Sequence, residues 1–296
     1  MKKQYLSYLS AIIAAAVLTG CSSDDEGSKE KDDKSVKTET VSFHVTTDES
    51  NFESGNIWSF QRGDNFGIFA IEQKENANLQ EKGNYANNVC YQWDGNNFTP
   101  MSHPISKTYD SYLAYYAFYP YSASAGPHME YTVSCSQISS EAVSKSDFCT
   151  AFTPPTQAMT ISLTLKHRMS RLCVKVTDTD LKGQVSKVTL KGVWLTLSAD
   201  LIADSYTATT SHQGEITMWR ATEDGNTFYA VLPPQILYAT NKYLVATVNG
   251  TEMNVDFDED NLLTSGNEKV LTIFRRPTPA SGLVALGGQI HPWEGD

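Results

Sequence analysis

Residues 243–257 read YLVATVNGTEMNVDF. Tyr243 to Val248 is apolar and rich in β-branched residues, Asn249-Gly250 interrupts it, and Thr251 to Phe257 alternates polar with apolar. Asn-Gly accepts the positive φ of a tight two-residue turn, so the stretch predicts a β-hairpin. The same pattern runs outward in both directions. Downstream, Val270 to Phe274 is a further strand, followed by a tail rich in Pro, Gly and Ala. Upstream, Phe228 to Leu232 ends at Pro233-Pro234, and Val185 to Leu190 and Val193 to Leu197 are separated by Gly192. Ile161, Leu163 and Leu165 alternate, and the apolar phase then shifts to Leu172, Val174 and Val176. That shift predicts a bulge or short turn around His167 to Ser170.

The first half of the chain reads alike. Thr40 to Val45 and Phe66 to Ile71 predict strands. Val89 to Trp93, the turn Asp94-Gly95-Asn96-Asn97 and Phe98 predict a hairpin. Tyr112 to Tyr121 (YLAYYAFYPY) is a dense aromatic strand stopped by Pro120, and Tyr131 to Cys135 is a short one. Strands every 8–12 residues with turn signals between them, and no long helical period, predict an all-β protein of sandwich type. Pro154-Pro155 is the strongest break. It sets expected domains at 40–155 and 156–296.

The N-terminus has a different composition. Lys2-Lys3 precede a short apolar run, Tyr8 to Leu18, which fits a signal-peptide core and is too short to span a bilayer. Leu18-Thr19-Gly20-Cys21 resembles the bacterial lipoprotein box, which implies cleavage after residue 20 and acylation of Cys21. Two or more acyl chains anchor a protein stably where one does not. Residues 1–20 are thus expected to be a lipoprotein signal peptide. Residues 21–39 (CSSDDEGSKEKDDKSVKTE) hold no aromatic residue and a single aliphatic one, Val36, and are expected to be an acidic flexible tether. Ser22-Ser23-Asp24-Asp25-Glu26 resembles the export tag of surface lipoproteins in Bacteroidetes.

The net charge is −11, and more negative once Lys2 and Lys3 are removed. That argues against nucleic acid as a partner. After Cys21, four cysteines remain: Cys90, Cys135, Cys149 and Cys173. None forms a CxxC pair, so their spacing supports neither a zinc site nor a redox motif. Full pairing would allow three connectivities, and buried thiols fit the sequence equally well.

The ordered stretches TVSF (40–43), GDNFGIFA (63–70), AYYAFYPY (114–121), SDFCTA (146–151), LTLKHRMSRLCVKV (163–176), FYAVLPPQ (228–235), LTSGNEKVLTI (263–273) and IHPWEG (290–295) together resemble the fimbrillin family of Bacteroidetes, in particular its Mfa-like branch. The resemblance implies two consecutive transthyretin-like Greek-key β-sandwiches, carried to the outer face of the outer membrane as a lipoprotein. It also implies a structural or accessory fimbrial subunit (pilin, anchor or tip) with a role in adhesion, partnered by other subunits through strand exchange. In stalk subunits of that family an arginine-specific protease removes the first strand, and a neighbour's strand, usually its C-terminal tail, fills the vacated groove. Here Asn51 stands about where that arginine is expected. The first arginine of the chain is Arg62, the candidate maturation site. With the first strand retained, the chain would terminate or anchor a pilus, or act alone. The alternative function is a stand-alone surface lipoprotein that binds a glycan or host protein.

No catalytic residues, metal or cofactor are expected. Asp256, Asp258 and Asp260 resemble the start of a calcium loop, but Asn261 and Asn267 stand where the loop needs Gly and Glu. His167 with Ser170 lacks an acid at telling spacing and a nucleophile elbow, so His167 reads as structural. The tyrosines from Tyr112 to Tyr121 read as core packing on one face, with a sugar-stacking platform as the other possibility.

Overall fold

Two near-continuous apolar runs, NFGIFAIE (65–72) and LAYYAFY (113–119), organise the first half of the chain. Strands buried on both faces read this way, whereas strands with one wet face alternate. In the computed structural model, which describes residues 37–47, 60–74, 77–221, 225–276 and 282–292, both runs are interior strands of one sheet. The signal peptide, Cys21, most of the tether and Asn51 lie outside the described residues.

Among the described residues this sheet has seven strands. Their order is Ser42–Thr47, Thr160–His167, Cys149–Thr156, Leu113–Tyr119, Asn65–Glu72, Ala86–Trp93 and Phe98–Pro100. Neighbours are antiparallel except at one edge, where Ser42–Thr47 runs parallel to Thr160–His167. Alternate residues serve different cores. Phe66, Ile68, Tyr115 and Tyr119 point into a first core, while Phe69, Ile71 and Phe118 point into a second. The sheet curls until its edges approach: Phe43 on the edge strand meets Tyr91 edge-on at 5.0 Å between ring centroids and Tyr115 at 5.5 Å.

The second sheet has nine strands among the described residues, from Gln213–Thr217 at one edge to Trp219–Arg220 at the other. These two edge strands are consecutive in sequence and separated only by buried Met218. The sheet therefore folds over on itself around the second core, and its two edges meet at one point in the chain. The hairpin at 243–257 is present as Leu244–Val248 and Thr251–Phe257. Asn249 at φ +47° and Gly250 at φ +82° form the turn. The strand Val185–Trp194 is continuous across Gly192, whose φ of +67° makes the local bulge.

The expected all-β class is what the chain adopts; the one helix among the described residues is Ser140–Lys145, capped by the Ser139 side chain, which accepts from the Ala142 N–H. The expected boundary at Pro155 differs from the pairing. Residue 155 lies inside the strand Cys149–Thr156, and Thr160–His167 still belongs to the first sheet. The chain changes sheet at His167–Ser170. What reads as a bulge or short turn there is this crossing, and it shifts the apolar phase because the next strand faces a different core. Conversely, His128–Thr132 from the first half pairs with Thr196–Asp200 of the second. The two halves are interleaved rather than joined end to end.

Candidate functional site

The edge strand Ser42–Thr47 is the first candidate. Val41, Phe43 and Val45 are buried and His44 and Thr46 exposed, the period-two pattern expected of TVSFHV. Burying such side chains contributes about 1.5–3 kcal/mol each. Among the described residues the strand is hydrogen-bonded along one side only, to Thr160–His167. Just before it, the Val41 N–H donates to Ile105 O at 2.8 Å, and the Ile105 N–H in turn donates to the Tyr91 hydroxyl at 3.1 Å. Without the strand, the first core would lose one wall and the edge of Thr160–His167 would be unpaired. That combination is a receptor for an added strand.

Arg62 is exposed in the turn before Asn65–Glu72. The turn is tied down on both sides. The Gln61 N–H donates to the Asp64 carboxylate at 2.7 Å, and the Gly63 N–H donates to Trp93 O at 2.8 Å. Phe60 packs edge-on against Phe98 at 4.9 Å and Tyr119 at 5.9 Å. A protease that needs an extended segment would have to lift Phe60 out of the first core.

The tail forms a strand, Leu283–Pro292, lying inside the second sheet between Thr251–Phe257 and Asn267–Arg275. Leu283 and Ala285 are buried. Donating this strand to a neighbour would open a gap between two strands of its own sheet.

Asp147, Cys149 and His167, each buried, form a polar cluster. His167 Nδ1 and the Asp147 carboxylate are hydrogen-bonded, the Cys149 thiol donates to Asp147 Oδ2 at 3.1 Å, and Cys149 Sγ lies 3.5 Å from His167 Nδ1. His167 thus does have an orienting acid, twenty residues upstream, two residues before the neighbouring strand and brought close by the pairing His167↔Cys149. Distance in sequence hid it. The atoms lie close enough to hold a metal ion. One nitrogen of the ring faces both partners, however, whereas a nucleophile–base–acid relay uses the two nitrogens separately. The cluster is also closed to solvent. Its chemistry is that of a buried polar clasp between the strand Thr160–His167 and the lead-in to Cys149–Thr156.

The remaining candidates resolve simply. Cys90, Cys135, Cys149 and Cys173 form no disulfide. The three acids of the calcium-like stretch do not converge. Asp256 pairs with Lys242 and Arg276, Asp258 accepts from the Gly287 N–H at 3.0 Å, and Asp260 accepts from the Ala239 N–H at 2.7 Å. Of the aromatic run, Tyr115, Phe118 and Tyr119 are buried and Tyr116 is half-buried.

The fold agrees with the comparison to known families. The fimbrillin-like family model matches residues 31–293, and the chain belongs to that family. No curated protein matches it by sequence. Among solved structures it is similar to a candidate cell adhesion protein of Bacteroides ovatus (TM-score 0.68, 15% identity, 87% of this chain and 98% of that one). It is also similar to another candidate of Bacteroides uniformis (TM-score 0.58, 18% identity, 86% and 99%). A third is the tip fimbrial protein Mfa3 of Porphyromonas gingivalis (TM-score 0.51, 8% identity, 78% and 95%). At these identities the likeness is one of fold.

Proposed function

We propose that the protein is a non-catalytic subunit of a surface fimbria with a role in adhesion, tethered to the outer membrane through acylated Cys21. Strand exchange with a neighbouring subunit would use the groove that Ser42–Thr47 fills, which stays closed for as long as that strand is retained. The observation that carries this reading is the edge strand itself: parallel, hydrogen-bonded on one side, and plugging the first core with Phe43 and Val45. Family membership supports it. Asn51 in place of the expected arginine, and the pinned turn at Arg62, favour a chain that keeps its first strand. Such a chain sits at an end of the assembly, as anchor or tip, and not within the stalk.

Two measurements test this. The intact mass of the protein from the surface of its host should retain acylated Cys21 and the first strand; a form beginning at Gly63 would assign it to the stalk instead. Second, Asn51→Arg followed by an arginine-specific protease should cut behind the first strand. The cut protein should then take up a fluorescent peptide spanning residues 38–47, while uncut protein ignores it. A cut protein that neither exchanges the peptide nor self-associates would refute the groove as the joining site.

A further inference from the structure

A cleft of about 490 Å³ opens on the face of the first sheet turned away from the first core. That volume lies within the roughly 300–1,000 Å³ of small-ligand sites. Tyr116, Phe152 and Lys166 come from three neighbouring strands and line the floor; Ile202, Asp204 and Tyr206 line the wall. Phe152 is 57% exposed and Ile202 44%, high for large apolar side chains in a concave site. The Phe152 ring is braced by Tyr116, with centroids 4.8 Å apart.

The wall is fastened to the floor by one cation. Arg168 ion-pairs with Asp204 at 2.8 Å and lies 4.2 Å above the Tyr206 ring. Its Nε also donates to the Thr150 hydroxyl at 2.7 Å, and that hydroxyl lies 3.1 Å from the Tyr206 hydroxyl. The cleft is therefore held in shape without a ligand. Lys166 is exposed and, among the described residues, takes part in no ion pair. With Arg168 it outweighs Asp204, so the cleft carries a local positive charge on a chain of net charge −11.

The occupant follows from what the cleft offers. All three floor strands are interior to the sheet and paired on both sides. Their backbone groups are used, so an extended peptide cannot add as a strand. Recognition falls to an exposed aromatic face, which suits the apolar face of a sugar ring, and to a cation, which suits a carboxylate. The negative charge of the whole chain disfavours a polyanion. We propose that this cleft binds a carboxylated pyranose, a sialic or uronic acid ending a short glycan, with its ring on Phe152 and its carboxylate at Lys166. This goes beyond the fimbrial reading and does not rest on it.

Saturation-transfer NMR on the purified protein tests it, with sialyllactose and a glucuronic-acid disaccharide as probes and lactose as the neutral control. Saturation should reach the ring protons of at least one acidic sugar and not lactose. Phe152→Ala should abolish it. Lys166→Gln should weaken binding on the order of tenfold, the loss of one charge-assisted contact. Both side chains are exposed, so both variants should melt as the parent does. The proposal is overturned if neither acidic sugar receives saturation, if lactose matches them, or if the two substitutions leave the signal unchanged. It is equally overturned if a short acidic peptide competes as well as the sugars.

Discussion

The side-chain amide of Gln137 stands in for a strand residue opposite Val231. Gln137 Nε2 donates to Val231 O at 2.7 Å, and the Val231 N–H donates to Gln137 Oε1 at 2.8 Å, with Gln137 fully buried. Its backbone N–H meanwhile donates to Thr217 O at 3.0 Å, so one residue from the first half of the chain closes the seam where the edges of the second sheet meet. Gln137→Leu keeps the volume and leaves both Val231 groups unsatisfied, at about 1–3 kcal/mol each. The urea midpoint should fall, and the melting temperature should drop on the order of 10 °C. A variant as stable as the parent would show that the seam closes without the amide.

Thiol reactivity should follow burial. Cys135 is exposed, Cys90 partly covered, and Cys149 and Cys173 buried. Burial pushes the Cys173 thiol up to about 12, with Glu268 adding to the effect. Iodoacetamide on native protein at mildly alkaline pH should modify Cys135 first and Cys90 slowly, sparing Cys149 and Cys173 until the protein is denatured. Peptide mapping reads this directly. Asp147→Ala removes the acceptor shared by His167 and Cys149 and should cost about 1–3 kcal/mol for each buried group left unsatisfied. It should also expose Cys149 to the reagent.

Alkaline pH should unfold the protein through groups it keeps neutral. Burial raises Tyr115, Tyr119, Tyr131 and Tyr229, and lifts Tyr206 to about 12 against the opposing pull of Arg168. Cys173 shares this direction. A raised pKa means the folded form holds its proton more tightly than the unfolded form. The stabilisation is therefore complete below the unfolded values, about 8.5 for a thiol and 10 for a phenol, and is lost as pH climbs towards 12. Denaturation midpoints measured from neutrality upward should stay level and then fall steeply above about pH 9. The tyrosinate absorbance of these five side chains should rise with unfolding and not before it. Titration of these tyrosines in a protein that stays folded would contradict the assignment.

Gly288 should hold the tail in place by lacking a side chain. A Cβ there would sit 2.4 Å from Val270 O, a backbone atom that cannot swing aside. Gly288→Ala should push the end of Leu283–Pro292 off Asn267–Arg275. Limited proteolysis should then trim the tail while the rest of the protein resists. An equally resistant tail would mean the strand shifts register to accommodate the methyl.

Local chemistry made most strands legible. Asn249-Gly250 and Asp94-Gly95 demand their turns, and the alternation of Ile161, Leu163 and Leu165 names the buried face. What the chain does between His167 and Ser170 was less legible, because a phase shift looks the same whether a strand bulges or crosses to another sheet. The interleaving of His128–Thr132 with Thr196–Asp200 has no local signature at all. The Asp147–His167 clasp joins the end of one strand to the lead-in of its neighbour, and only their pairing brings it together. The cleft likewise draws on strands and a turn from 116 to 206, of which the aromatic run supplies Tyr116 alone.

The parallel pairing of Ser42–Thr47 with Thr160–His167 also fixes how the molecule would bear tension. A pull arriving through the chain ahead of Ser42 acts on the start of one strand, and the body resists through the far end of its partner, beyond His167. Force applied at opposite ends loads the backbone hydrogen bonds in shear, all together, and does not peel them one after another. The same strand that a protease could free by a single cut would thus be among the hardest to tear out by drag.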